Sequence, residues 1–380
     1  MDTTATCTGH STTGRRLYLA LELSNSKWKL GFTVGMGQDP RQRTIEAGDT
    51  RALRQEIAQA KQRFFLGPDS PVVSCYEAGR DGFWLHRYLT QEGIENQVVD
   101  SSSIEVNRRA RRAKTDRIDL GKLLAMLIRY HEGERSVWRT VRVPTVAQED
   151  RRQLHRELTT LKQARTQHSN RIQGLLVSQG VRLRVTPEFS QQLAEARTWD
   201  GSPVAPGLQD RLLREFEQWS FIQAQIRALE AQRRELIRTS DDPDIVMVRQ
   251  LLKLRGIGVN SAWVFVMEVF GWREIKNRRQ VGALFGLAPT PYASGSSARE
   301  QGISKAGNPL ARTMAIEIAW GWLRYQPDSE LTLWYQERYG HGNKRQRRVG
   351  IVALARKLVV ALWRYLTTGL VPTGAILKAA

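Results

Sequence analysis

The sequence predicts an α/β domain followed by an all-α region, and three observations carry that expectation. Short apolar runs alternate with helical text between Leu17 and Tyr130. From Asp150 onward, apolar residues recur at spacings of three and four within long charged stretches, the period of a helix face. The 380 residues, 41% of them hydrophobic, suffice for two or three domains with a sizeable core.

The elements follow in order. Residues 1–16 are polar, lack the apolar core of a signal peptide, and read as a disordered tail. Leu17–Leu23 (LYLALEL) and Lys27–Thr33 (KWKLGFT) read as strands joined by a turn at Ser24–Ser26, with Thr44–Ala47 a weaker third strand. Arg51–Phe65 reads as helix, Pro71–Tyr76 as a buried strand, Gly82–Gly93 as helix and Glu95–Val99 as strand. Thr115–Tyr130 reads as a helix with Leu120, Leu123, Leu124 and Leu127 on one face. This order, β-β-(β)-α-β-α-β-α, is that of a ribonuclease-H-like domain over 17–145, in which an antiparallel meander precedes alternating units. Asp150–Leu176 and Leu208–Arg238 predict a helical hairpin or coiled coil, a dimerisation arm over 146–243 with a loop-rich joint at Thr186–Gly207. The block 244–380 reads as a helical domain. Leu251–Val269 resembles a helix-hairpin-helix turning at Gly256-Ile257-Gly258, and helices are expected at Leu310–Leu323 and Val349–Leu366.

Charge narrows the function. Lys and Arg number 58 against 38 Asp and Glu, a net +20, which favours a polyanionic partner, most simply nucleic acid. A membrane surface is the competing reading. Against it, the most apolar run, Val349–Leu366, is broken by Arg356, Lys357 and Arg364. Cys7 and Cys75 do not suggest a disulfide framework, which fits a reducing cytoplasm, and a nucleic-acid partner there would make the protein nucleoid-associated. Six scattered His and two Cys offer no zinc spacing.

Arg108, Arg109, Arg111, Arg112, Lys114 and Arg117 crowd one short segment, and Asp116 and Asp119 stand beside them, three apart. On a helix the two carboxylates share a face. Glu22 lies near the end of the first strand and Glu77 just past the fourth. An acid within an apolar strand is costly to bury unpaired. Four carboxylates at strand and helix ends suit Mg²⁺ or Mn²⁺ and phosphodiester chemistry. The ordinary alternative places Asp116 and Asp119 at a helix start facing its dipole. Ser294 sits in Gly/Ser-rich text that also reads as a flexible linker. A serine can attack phosphorus when cations steady the charge, and Arg299, Lys305 and Arg312 are near in sequence. Gly256 and Gly258 would let backbone N–H groups approach a phosphate, and Lys344, Arg345, Arg347 and Arg348 form a second basic cluster.

Together these residues resemble the insertion-sequence transposases that carry a RuvC-like DEDD domain followed by a serine-bearing transposase domain. Pilin-gene invertases are relatives, and some members are bridge-RNA-guided recombinases. The resemblance runs from about Leu17 to Pro372 and rests on Lys114-Thr115-Asp116-Arg117-Ile118-Asp119, on Tyr292–Ser297, and on Ser304-Lys305-Ala306-Gly307. Arg255–Gly258 and Gly286–Pro289 add weaker matches. It implies that Glu77, Asp116 and Asp119 hold metal and that Ser294 joins DNA covalently. Glu22 stands where the family usually has Asp, which places its carboxylate one methylene further out. The resemblance also implies donor and target DNA as partners, a homo-oligomer, and a structured noncoding RNA that selects the DNA. The alternatives are a metal-dependent nuclease or resolvase without a serine nucleophile, and a catalytically impaired nucleic-acid-binding protein.

Overall fold

The computed structural model describes residues 15–79, 82–104, 116–294 and 297–378, with side chains except at 102, 116–119, 291–294 and 297–301. The expected tail lies outside the described residues up to position 14. The chain forms two compact units, Met1–Pro144 and Thr145–Ala380.

In the first unit, β1 (Leu17–Leu23), β2 (Lys27–Thr33) and β3 (Arg41–Glu46) form an antiparallel meander. Helix α1 (Thr50–Arg63) leads to β4 (Val72–Glu77), α2 (Trp84–Gln91), β5 (Glu95–Val99) and α3 (Asp116–His131). The sheet order is β3-β2-β1-β4-β5, with β4 parallel to β1 and β5 parallel to β4. Strand alternation divides the core. Leu17, Leu19 and Leu21 face Leu53 and Ile57 of α1 and Leu85 and Leu89 of α2. Tyr18, Ala20, Val73 and Cys75 face Leu120, Leu123, Leu124 and Leu127 of α3. Because both faces are covered, β1 and β4 are apolar nearly throughout.

The third strand is longer than the expected Thr44–Ala47 and begins at Arg41. Arg41 is buried because its guanidinium pairs with Glu56 at 2.6 Å and donates to Gln59 at 2.8 Å, so a strand position reads as polar text. Asp49 caps α1 by accepting from the Ala52 N–H.

The second unit opens with α4 (Val146–Asp150), α5 (Gln153–Val177), α6 (Phe189–Glu195) and α7 (Pro206–Thr239). Helices α5 and α7 pair along Leu158, Ile222 and Ile226, with Lys162–Glu230 and Arg171–Glu215 ion pairs of 2.7 Å outside that seam. The joint at 186–207 is less loop-like than expected: it holds α6, whose Phe189 and Leu193 cover Ile172, Leu176 and Leu212 at the end of the hairpin.

Next come α8 (Pro243–Leu252), α9 (Val259–Phe265), α10 (Arg278–Leu284), β6 (Pro289–Ser294), β7 (Ser297–Ile303), α11 (Pro309–Tyr325), α12 (Glu330–Tyr335) and α13 (Lys344–Thr368). Their core gathers Trp263, Phe265, Phe285, Trp322, Leu354, Leu358 and Leu362. This block is not purely helical. β6 and β7 form an antiparallel ribbon in text that reads as a loop, because Pro289, Pro291 and the Gly/Ser run mask the strand pattern. The register shifts between Pro289 and Pro291, which accommodates residues that cannot donate to a ladder. Helix α13 starts five residues before the expected Val349, capped by Asn343, whose side chain accepts from the Gln346 N–H at 3.0 Å. The basic cluster therefore forms the first turns of a helix. Among the described residues, no helix is long and apolar enough to cross a membrane.

Candidate functional site

The acidic residues are positioned by sheet register. The β1–β4 pairing runs from Leu17 opposite Val72 to Leu21 opposite Tyr76, and one residue further come Glu22 and Glu77. Both share the parity of the residues that face α3, so both carboxylates lie on that face at the carboxyl ends of parallel strands. Lys29, opposite Glu22 on β2, completes the row. Helix α3 runs against β1. His131, at its last turn, meets Arg16 at 2.7 Å and stacks edge-on with Tyr18, whereas Leu120 and Leu124 lie over Gly31, the partner of Ala20. From Leu120 back to Asp116 is about 6 Å of helix, and from Ala20 on to Glu22 about 7 Å of strand. The first turn of α3, with Asp116 and Asp119, thus lies toward the end of the sheet that carries Glu22 and Glu77. Side chains of Asp116 and Asp119 lie outside the description, as do Arg108, Arg109, Arg111, Arg112 and Lys114 entirely. Among the described residues no group of three acidic, His or Cys side chains forms a metal-holding cluster. Two strand carboxylates in neighbouring register repel unless a cation joins them, and an all-oxygen donor set suits a hard divalent ion.

Ser294 ends β6, paired with Ser297 of β7, and Arg299 is paired with Tyr292. The base of this ribbon is laced by main chain. Ser304 N–H donates to Ala288, Lys305 N–H to Gly286, and Asn308 N–H to Leu284, all at 2.8–3.1 Å. The approach leaves no room for a side chain at Gly307, where a Cβ would stand 2.2 Å from both the Gly286 nitrogen and the Leu284 oxygen. Lys305 adopts a left-handed conformation, φ 56°, and its carbonyl accepts from Arg312 at 3.0 Å. The two short motifs singled out in sequence, Gly286–Pro289 and Ser304–Gly307, are the two sides of this base.

Beneath it lies a group the sequence did not disclose. Glu268 is buried and accepts from His155 Nε2 at 2.7 Å, from Arg156 Nε and Nη2 at 2.8 and 3.0 Å, and from Asn308 Nδ2 at 2.9 Å. Burial alone would raise its pKa, but hydrogen bonds from His155 and Arg156, with their charge, bring it down to about 2. In return Glu268 raises the Arg156 pKa. Since the carboxylate is ionised, His155 Nε2 is the donor. Asn308 Oδ1 also caps α11 by accepting from Ala311 N–H, so one buried carboxylate ties the start of α5 to the loop beneath the Ser294 ribbon. No spacing rule could have found it: His155 and Glu268 are 113 residues apart.

The helix-hairpin-helix expectation meets α8, a turn and α9. The N–H groups of Arg255, Ile257 and Gly258 donate to the Ile376 carbonyl, the Leu254 carbonyl and Ser261 Oγ. Gly256 has φ 88°, and a Cβ there would sit 3.1 Å from Tyr325 Cβ. In the second basic cluster, Lys344, Arg345, Arg347 and Arg348 are exposed on the first turns of α13. Arg347 Nε donates to the Gly342 carbonyl, whereas Arg345 and Arg348 line a groove along α13. Arg356, Lys357 and Arg364, which counted in sequence only as interruptions of an apolar run, line the same groove.

The profile of the transposase IS116/IS110/IS902 family matches residues 248–333, the stretch that holds Glu268, the ribbon and Asn308. The transposase for insertion sequence element IS1328 of Yersinia enterocolitica is 25% identical, over 84% of this chain and 91% of its own length. The transposase for insertion sequence element IS1111A of Coxiella burnetii is 24% identical over 76% of each chain. The protein y4rJ of Sinorhizobium fredii, which carries the name of a transposase, is 42% identical over 95% of this chain and 94% of its own. On likeness of that extent, the chain belongs to the IS116/IS110/IS902 family of transposases.

Proposed function

We propose that this protein is a DNA transposase or recombinase that cuts and rejoins DNA through a RuvC-like carboxylate cluster and a covalent phosphoserine. The observation that carries the proposal is the placement of Glu22 and Glu77 side by side on the α3 face, with the start of α3 directed to the same end of the sheet. Glu22, Glu77, Asp116 and Asp119 would hold Mg²⁺ or Mn²⁺. A bound divalent ion supplies charge stabilisation to a phosphate under attack. The longer side chain at Glu22 reaches the ion with one more rotatable bond than Asp, so metal preference is a property to measure.

The Ser294 hydroxyl attacks the scissile phosphorus. An Oγ–P bond forms, the P–O3′ bond breaks, the serine proton passes to solvent, and the departing 3′-oxygen takes up a proton. The phosphoserine bond stores the energy for rejoining when a 3′-hydroxyl attacks in turn. The rigid base under β6 and β7 favours this role, because a nucleophile must be held in one attack geometry. Donor and target DNA are the substrates, and a dimer or tetramer would bring them together. A structured noncoding RNA selecting both DNAs by base pairing would leave the protein to read backbone and shape, which agrees with its diffuse +20 charge.

The test is Ser294→Ala against wild type on a labelled recombination substrate with Mg²⁺. Denaturing gels of the wild type should carry a covalent protein–DNA adduct, and the variant should lack both adduct and recombinant product. Persistent cleavage by Ser294→Ala would favour a metal-dependent nuclease and overturn the serine mechanism.

A further inference from the structure

We propose that the groove along α13 binds an unpaired strand of DNA at the base of the Ser294 ribbon. The groove has a volume of about 1470 Å³. Its wall at one side is the ribbon base, through Leu287, Pro289, Gly302 and Ile303. From Arg345 to Arg364 the α13 axis rises about 28 Å, which gives room for about four to eight nucleotides.

Charge complementarity selects a polyanion. Helix α13 contributes Arg345, Arg348, Arg356, Lys357 and Arg364, and the segment at the start of α10 adds Arg278 and Arg279. One acid, Glu330, is among the described lining residues. These cations do not serve the helix. Arg345 and Arg348 stand at its N-terminal end, where the macrodipole disfavours positive charge, and like charges three or four apart are mildly destabilising.

The floor selects a single strand over a duplex. Between the cations run Val349, Val352, Val360 and Trp363, with Trp334 from α12 opposite. Val349 is 53% exposed and Leu370, at the far end, 73%. A duplex presents sugar, phosphate and base edges but keeps its base faces stacked inside. An unpaired strand can turn its bases onto apolar and indole faces while its phosphates meet the rim. Lys357 Nζ already stands 4.5 Å from the Trp334 ring centroid, joining rim to floor. A second copy of the chain fits poorly, because each copy carries +20 and the rim is cationic. The strand is taken as DNA because the proposed reaction is on DNA, and in that respect alone the inference rests on the function proposed above.

The test is fluorescence anisotropy of the full-length protein, in EDTA, with a labelled 12-nucleotide DNA, its duplex, and the RNA of the same sequence. Arg348→Glu/Arg364→Glu changes two exposed rim residues, and Val349→Glu places a charge on the exposed floor. The double variant should lose at least tenfold in single-strand affinity and flatten the salt dependence by about one to two in log–log slope. Val349→Glu should lose at least threefold for the strand and less than twofold for the duplex. Thermal unfolding within 2 °C of wild type establishes that each variant is folded, and an unfolded variant is replaced by Arg348→Gln/Arg364→Gln, which should lose at least threefold in single-strand affinity. Equal losses for strand and duplex, unchanged strand binding, or tighter binding of RNA than DNA would each overturn the proposal. So would an altered sedimentation coefficient with unchanged strand affinity, which assigns the groove to a second copy. Ser294 is intact in all these proteins and no cleavage is read, so failure here is separate from failure of the adduct test.

Discussion

Replacing Glu268 by Gln removes one charge from the centre of the second unit with little change in shape. The wild-type carboxyl falls from its ordinary 4.5 to about 2 on folding, which at about 1.4 kcal/mol per tenfold change in proton affinity corresponds to about 3 kcal/mol of stability at neutral pH. Breaking a buried pair costs a similar amount by another route, since His155, Arg156 and the Asn308 amide would face an amide that can satisfy fewer donors. For a unit of this size about 3 kcal/mol lowers Tm by about 6–12 °C. The dependence on pH has a definite sign. A carboxyl depressed on folding stabilises fully above its unfolded value and loses that stabilisation as pH falls toward its folded value. The difference between wild type and Glu268→Gln, followed by urea unfolding, should be complete at pH 7 and shrink to about half by pH 3. A Tm within 2 °C of wild type at pH 7, or a difference that does not change between pH 7 and pH 3, would refute the reasoning.

Two further substitutions probe the supports of the site. Gly307→Ala places a methyl 2.2 Å from backbone atoms on the facing loop, so the ribbon base must separate; loss of several kcal/mol in calorimetry, or failure to fold, is expected. A near-wild-type Tm would show that this approach is looser than described. Asn343→Ala removes the cap of α13 and should cost about 1 kcal/mol, or about 2–4 °C in the unfolding of the second unit, with single-strand affinity lowered less than by Arg348→Glu/Arg364→Glu. An affinity loss equal to that of the charge reversal would mean that the helix start, not the rim charge, holds the strand.

The strand boundaries of β1, β2 and β5 were legible because β1 is a short apolar run, β2 alternates polar and apolar positions after a serine-rich turn, and β5 follows Gly93 and ends on two valines, and the 3.6-residue period outlined α3, α5 and α7. The start of β3 at Arg41 was missed because ion pairing with Glu56 makes an arginine an acceptable core-edge residue. The ribbon that carries Ser294 was misread because proline and serine suppress the alternation that marks a strand. In the acidic set, the sequence marked each residue as the end of an element. The adjacency of Glu22 and Glu77 came from a parallel register between strands about fifty residues apart, which no local pattern encodes. The groove cations were visible as residues but not as a surface, since Arg278 and Arg364 line one groove only when α10 and α13 pack.

By itself the amino-acid order determined the net charge and most of the succession of strands and helices, because these depend on composition and on periods of two and 3.6. Tertiary structure alone decided which carboxylates are neighbours, which glycines are required by close backbone approach, and that Glu268 is held ionised beneath the serine ribbon. The physical reason is that burial and register are relations between distant segments: the energy of an ion pair or a Cβ clash is set by a separation of a few ångströms in space, and that separation is independent of distance along the chain.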